Sequence, residues 1–148
     1  MSAHQLDIVC RMHVPVFQAG TMQDSEHTDL IIDGMIGYSL KGAPHGAARD
    51  LIQWANSQQS PVLALDVPSG LDTTTGTVFD PAINATATMT LALPKKGLCA
   101  QSVHGHIGEL YLADISVPVS LYQEVLGLRV GSLFAKSDII RLELAHSR

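Results

Sequence analysis

The sequence predicts an α/β fold: a parallel sheet with helices on both faces. Three observations predict it. Short, unbroken apolar runs recur along the chain, in "DLIID" (29–33), "VLAL" (62–65), "TATMTLAL" (86–93) and "ELYLADI" (109–115). Such runs suit strands buried on both faces, as in a parallel sheet. Helical or loop connections stand between them, and strands alternating with such connections imply parallel crossovers. Finally, 148 residues with 46% hydrophobic content are enough for one domain with a real core.

The elements follow in order. In "AHQLDIVCRMH", Leu6, Ile8, Val9 and Met12 mark roughly one helical face and predict a short helix. "VPVFQAG" reads as a short strand ending at Gly20, and the polar "TMQDSEHT" as a loop. After "DLIID", Pro44 stands where a helix begins, at the first-turn position that proline tolerates. "HGAARDLIQWANSQ" then sets Ala48, Leu51, Ile52 and Ala55 on one face. Pro61 introduces the second strand, and the third and fourth follow. "SLYQEVLGL" predicts a short helix, and "GSLFAKSDIIRLELAHSR" closes the chain without a clear period. No repeat, low-complexity tract or linker interrupts it, so residues 1–148 are expected to form a single domain.

The formal net charge is −5 and no basic run occurs, which argues against nucleic acid and anionic membranes as partners. Cys10 and Cys99 form no CxxC pair, so neither a disulfide framework nor a zinc site is indicated. No apolar stretch reaches the length of a membrane span. The first residues are too polar for a signal peptide. A cytoplasmic protein is the expectation.

In open parallel sheets, ligands bind beyond the carboxyl ends of the strands. Asp33 and Asp66 both occupy such ends. In "LALDVPSGLDTTTG", Pro68 stiffens the strand exit, and Gly70 lets backbone come close to a ligand or ion. Asp72 and the threonines that follow can bond the turn's own amides. "GMIGYSLKGAP" places Gly34, Gly37 and Gly42 before a helix start, an arrangement that presents bare amides to phosphate, with Lys41 adding charge. Lys95 and Lys96, in "LALPKKGL", would lie at the same edge, within reach of phosphate or carboxylate; two solvated lysines are the plainer alternative. His104 and His106 lack a third ligand nearby and read as surface residues rather than a metal site.

Together these stretches resemble the YjeF N-terminal family, the NAD(P)H-hydrate epimerases. The matching pieces are "DLIIDGMIGYSLKGAP", "ARDLIQWANSQQSPVLALDVPSGLDTTTG", "ATATMTLALPKKGL" and "GELYLADISVP". The tail "LGLRVGSLFAKSDIIRL" is similar too. The resemblance implies a Rossmann-like fold and an isomerase that interconverts the R and S epimers of hydrated NADH and NADPH. It implies a potassium ion as cofactor, held by Asp33 and Ser69. It implies a phosphate-binding loop of Gly37, Tyr38, Ser39, Leu40, Lys41, Gly42 and Ala43, and a substrate-binding, catalytic Asp66. The partners it implies are NAD(P)HX, a dehydratase acting in the same repair and a second copy in a homodimer.

Two departures stand out. The family's N-G-G-D-G turn has no counterpart: the only asparagines, Asn56 and Asn84, neighbour no glycine. The chain therefore reads as an N-terminally truncated member. Its loop also has Gly37-Tyr38-Ser39 where the family has G-T-G, and serine disfavours a positive φ that glycine allows. The expectation is an epimerase. The alternative is a truncated, inactive homologue serving as a nucleotide- or protein-binding module.

Overall fold

A computed structural model describes residues 3–21, 28–38 and 40–144. Its centre is a five-stranded sheet: β1 (Ile31–Asp33), β2 (Val62–Leu65), β3 (Ala87–Leu91), β4 (Glu109–Ala113) and β5 (Ile139–Leu142). The strands lie in chain order. The first four are mutually parallel, and β5 runs antiparallel on β4. The expected α/β fold with its parallel sheet is observed. The carboxyl ends of β1 to β4 share one edge.

Among the described residues four α-helices accompany the sheet: α1 (Ala3–Arg11), α2 (Ala47–Ser57), α3 (His104–Ile107) and α4 (Val119–Leu126). Gly46 caps α2 at φ 56°, and the helix begins at Ala47 rather than at Pro44. The glycine takes the left-handed turn into the helix, while Pro44 is buried ahead of it.

The strand order explains where the core sits. Parallel strands joined by right-handed crossovers, each step in the same direction, bring every connection to the same face. Both core clusters lie there. Ile52 and Ala55 of α2 pack with Val62, Ala64, Ile83 and Ala85. Val67, Leu71, Leu98, Val103 and Ile107 pack on Leu110. Register places Val62 and Ala64 on the side of Thr88, Thr90, Leu110 and Leu112. The burial is thus less even than expected of a sheet with helices on both faces. The opposite face leaves Ile32 58%, Leu65 42% and Ile139 47% exposed.

Two segments differ from the sequence reading. Residues 14–18 of "VPVFQAG" form no strand, and Val14, Val16 and Phe17 are exposed. A strand needs a ladder partner, no described strand lies beside it, and Pro15 lacks a ladder donor. The tail contains β5, whose half-exposed position against β4 leaves only a weak alternation to read. Most of "TMQDSEHT" lies outside the described residues.

Candidate functional site

The turn after β2 reaches to both neighbouring strands. Asp66 follows the last residue of β2 at φ 68°, and the Val67 amide donates to the Leu65 carbonyl at 2.9 Å. This is a γ-turn with positive φ at its centre, a rare and strained conformation. It takes the backbone out of the ladder. The Asp66 carboxylate takes over as an acceptor for β3: Oδ1 accepts from the Leu91 amide at 3.1 Å, from Thr90 Oγ1 at 3.4 Å and from Lys95 Nζ. Lys95 Nζ also donates to the Leu91 carbonyl at 2.8 Å. The ion pair is partly buried, with the Lys95 side chain 22% and the Asp66 side chain 26% exposed.

Toward β1 the same turn offers Ser69, which is fully buried. Its amide donates to Asp33 Oδ2 and its hydroxyl to Asp33 Oδ1, both at 2.7 Å. Ser69 Oγ accepts the Ile36 amide at 3.0 Å, and the Met35 amide reaches Asp33 Oδ1 at 3.3 Å. The structure therefore brings Asp33 and Ser69 together. Asp66 forms a separate constellation with Lys95.

Asp33 is a buried carboxylate, 2% exposed, and no cationic side chain pairs with it among the described residues. Its bonds all come from neutral donors. Buried charges are normally paired or bind metal, and the Asp33 carboxylate beside the Ser69 hydroxyl offers oxygen donors of the type a hard cation takes.

Gly70 has a different role from the one expected. At φ 104° it packs against the chain itself: a Cβ there would come within 2.5 Å of Ala82 Cα. Asp72 behaves as expected. Its Oδ1 accepts from the amides of Thr75 at 2.9 Å and Thr74 at 2.8 Å, which hold the carboxyl below the usual carboxylate range.

The segment 37–43 leaves β1 toward α2 at the carboxyl edge, with Tyr38 76% exposed and Lys41 exposed. Ser39 lies outside the described residues. A largely apolar cavity of about 330 Å³ opens beside Asp33, lined by residues that include Ile32, Met35 and Trp54. Another, of about 250 Å³, lies past the ends of β3 and β4, where Ala92, Asp114, Tyr122 and Phe134 meet.

His104 and His106 are half-buried rather than on the surface. His106 Nδ1 lies 3.2 Å from the Ile83 carbonyl, and no cluster of three or more His, Cys, Asp or Glu side chains placed to hold a metal occurs among the described residues. Sequence reasoning did not single out Thr90, and it left Lys95 between a site role and a solvated turn. The available signal was the polar Thr90 in an apolar strand and the lysine that follows Pro94.

The YjeF-related protein N-terminus family model matches residues 1–97. The chain belongs to this family. Among curated relatives, the NAD(P)H-hydrate epimerase of Dehalogenimonas lykanthroporepellens is 36% identical over 119 residues, covering 80% of this chain and 47% of the relative. That of Legionella pneumophila (strain Corby) is 32% identical over 138 residues, covering 93% and 49%. The bifunctional NAD(P)H-hydrate repair enzyme Nnr of Moorella thermoacetica is 40% identical over 95 residues, covering 64% and 18%. The chain thus spans at most about half the length of these relatives. The crystal structure of yeast ynu0, YNL200c, matches the fold with a TM-score of 0.59 at 22% identity, over 78% of this chain and 47% of that one. No helix among the described residues is long and apolar enough to cross a membrane.

Proposed function

We propose that this chain carries the carboxyl-edge half of an NAD(P)H-hydrate epimerase site, an isomerase acting on hydrated NADH and NADPH in cofactor repair. The observation that supports it most is Asp66. This strand-end carboxylate has Oδ1 held by three donors, while Oδ2 accepts no hydrogen bond from the described residues. The substrate carries a hydroxyl at C6, next to the ring nitrogen. Epimerisation needs one group that takes and returns a proton.

Asp66 enters this scheme as the carboxylate partner of Lys95. Oδ2 takes the C6 hydroxyl proton, the C6–N bond breaks, and C6 becomes an aldehyde. The carboxyl hands that proton to the ring nitrogen. After rotation about C5–C6, the nitrogen attacks the other face. Its proton returns through Asp66 to the new C6 oxygen, so every atom and charge is restored.

Residues 37–43 are proposed to face the substrate phosphates, with Lys41 supplying positive charge. Asp33 and Ser69 would hold the potassium ion, which supplies a fixed positive charge near the bound anion. The dehydratase is proposed as the metabolic partner, a second copy of the chain as a physical one, and the cytoplasm as the compartment. The exposed apolar sheet face supports the second copy. It also supports the alternative reading, a catalytically inactive module that binds nucleotide or protein.

The test is a coupled assay with R-NADPHX, excess dehydratase and potassium, following the return of NADPH absorbance. A rate above the spontaneous one that falls at least about 100-fold in Asp66→Asn is expected. Replacing potassium by sodium should lower the wild-type rate, and Asp33→Asn should lose that ion preference. A folded chain turning over at the background rate would leave the binding module as the better reading.

A further inference from the structure

Two neighbouring strands leave the sheet in the same unusual way. Asp66 ends β2 in a γ-turn at φ 68°. Ala92 ends β3 at φ 66°, with the Leu93 amide donating to the Leu91 carbonyl at 2.8 Å. Both residues still extend the ladder through their own amides, Asp66 to Met89 at 2.8 Å and Ala92 to Ala113 at 3.0 Å. A positive φ on a residue with a Cβ costs free energy. Two such outliers side by side, at the edge where the proposed chemistry lies, point to function.

The consequence of the second turn is the placement of Lys95. The chain reverses through Leu93 and Pro94, so that Lys95 Nζ returns to the Leu91 carbonyl at 2.8 Å and to Asp66 Oδ1. The first turn brings the carboxylate into the path of the Leu91 amide. Each γ-turn thus delivers one partner of the pair. An ammonium has three donor hydrogens and no acceptor. Here one is given to a backbone carbonyl and one to the carboxylate, which fixes the amine from two sides.

We propose that Lys95 is a positioning residue. With the Leu91 amide and the Thr90 hydroxyl it pins Oδ1 of Asp66, and so leaves Oδ2 as the oxygen that exchanges the proton. This rests on Asp66 being the acid–base group. Lys95 itself stays charged throughout and does not touch the substrate. A carboxylate free to turn about its side-chain bonds would present Oδ2 in the productive direction only part of the time. Small misplacements of a reacting group cost rates heavily.

The experiment compares the full chain with Lys95→Met, Lys95→Arg and Lys96→Met in the coupled assay. Lys96 is exposed and one residue away, so its variant removes the same charge without the contact. Lys95→Met is expected to lower kcat by about 10- to 100-fold with KM held within about twofold. Lys95→Arg should recover part of that loss, because it keeps the charge and a donor. Lys96→Met should match wild type. Hydrogen exchange at the Leu91 amide provides a readout that needs no turnover: its protection should fall about tenfold in Lys95→Met. An unchanged kcat in Lys95→Met overturns the proposal. So does an arginine variant as slow as the methionine one, which would make Lys95 a proton donor. Full activity in Asp66→Asn removes the acid–base reading instead. Pinning is then decided by Leu91 exchange alone, and unchanged protection in Lys95→Met defeats it.

Discussion

Asp66 and Ala92 show how much a single φ value can carry. Ala92 has no side-chain bond to hold it in the left-handed region, so its strain is set against the fold around it. Ala→Gly usually destabilises by about 0.5–1 kcal/mol through the unfolded chain. At Ala92 the relief of about 1–2 kcal/mol of left-handed strain opposes that cost. Ala92→Gly is therefore expected to be neutral or more stable by up to about 1 kcal/mol in urea unfolding. A loss of about 1 kcal/mol would mean that the turn is not strained. Single residues were legible where the motif is local. Asp66 and Asp72 could be picked out because a strand-end carboxylate and a Pro-Ser-Gly turn lie within a few residues of one another, and Asp33 because it closes its own apolar run; a role for Ser69 came only from the family resemblance. The partners were less legible. That Lys95 meets Asp66 depends on the β2–β3 register and on two γ-turns, and neither leaves a mark in composition or period. Gly70 was legible as a close approach but not as to what approaches, since Ala82 lies on a separate segment.

At the level of elements, the strands of the parallel sheet were readable because each is a compact apolar run between turn residues. α2 was readable from its stripe, and its inner residue Ile52 is fully buried against β2 and Ile83. Truncating that side chain removes transfer energy and leaves a cavity. Ile52→Ala is expected to cost about 2–5 kcal/mol in equilibrium unfolding, a large share of a small domain's stability. A cost under 1 kcal/mol would mean that α2 is not anchored to the sheet as described. The misread elements lie at the margins. β5 is half-exposed, so it is not shaped by strong burial, and the sequence pattern there is correspondingly faint. "VPVF" has the composition of a strand, but composition cannot supply the neighbour that a strand needs.

Across the whole molecule, a sheet wound in one direction has one packed face. The other carries Ile32, Leu65 and Ile139 in the open, and β1 ends the sheet with an apolar run and no lysine or proline to blunt it. Natural edge strands usually carry such a device, because an unpaired apolar edge templates association. The β1 sequence is that of an inner strand occupying an edge position. This is the clearest disagreement between sequence pattern and structure, and it is why even burial on both faces was expected. The expected physical outcome is concentration-dependent self-association. Sedimentation between about 1 and 100 μM should show a mass rising above that of one chain. Ile32→Lys should shift the distribution toward monomer, because a charge at the edge disfavours strand addition. The substitution removes a side chain that is already 58% exposed, so the melting temperature should change little. If the wild-type chain stays monomeric across that range, the exposed face is tolerated by the isolated fold, and the second copy proposed as a partner is ruled out. If association persists unchanged in Ile32→Lys, the contact lies elsewhere, and Leu65→Lys tests the middle of the same face.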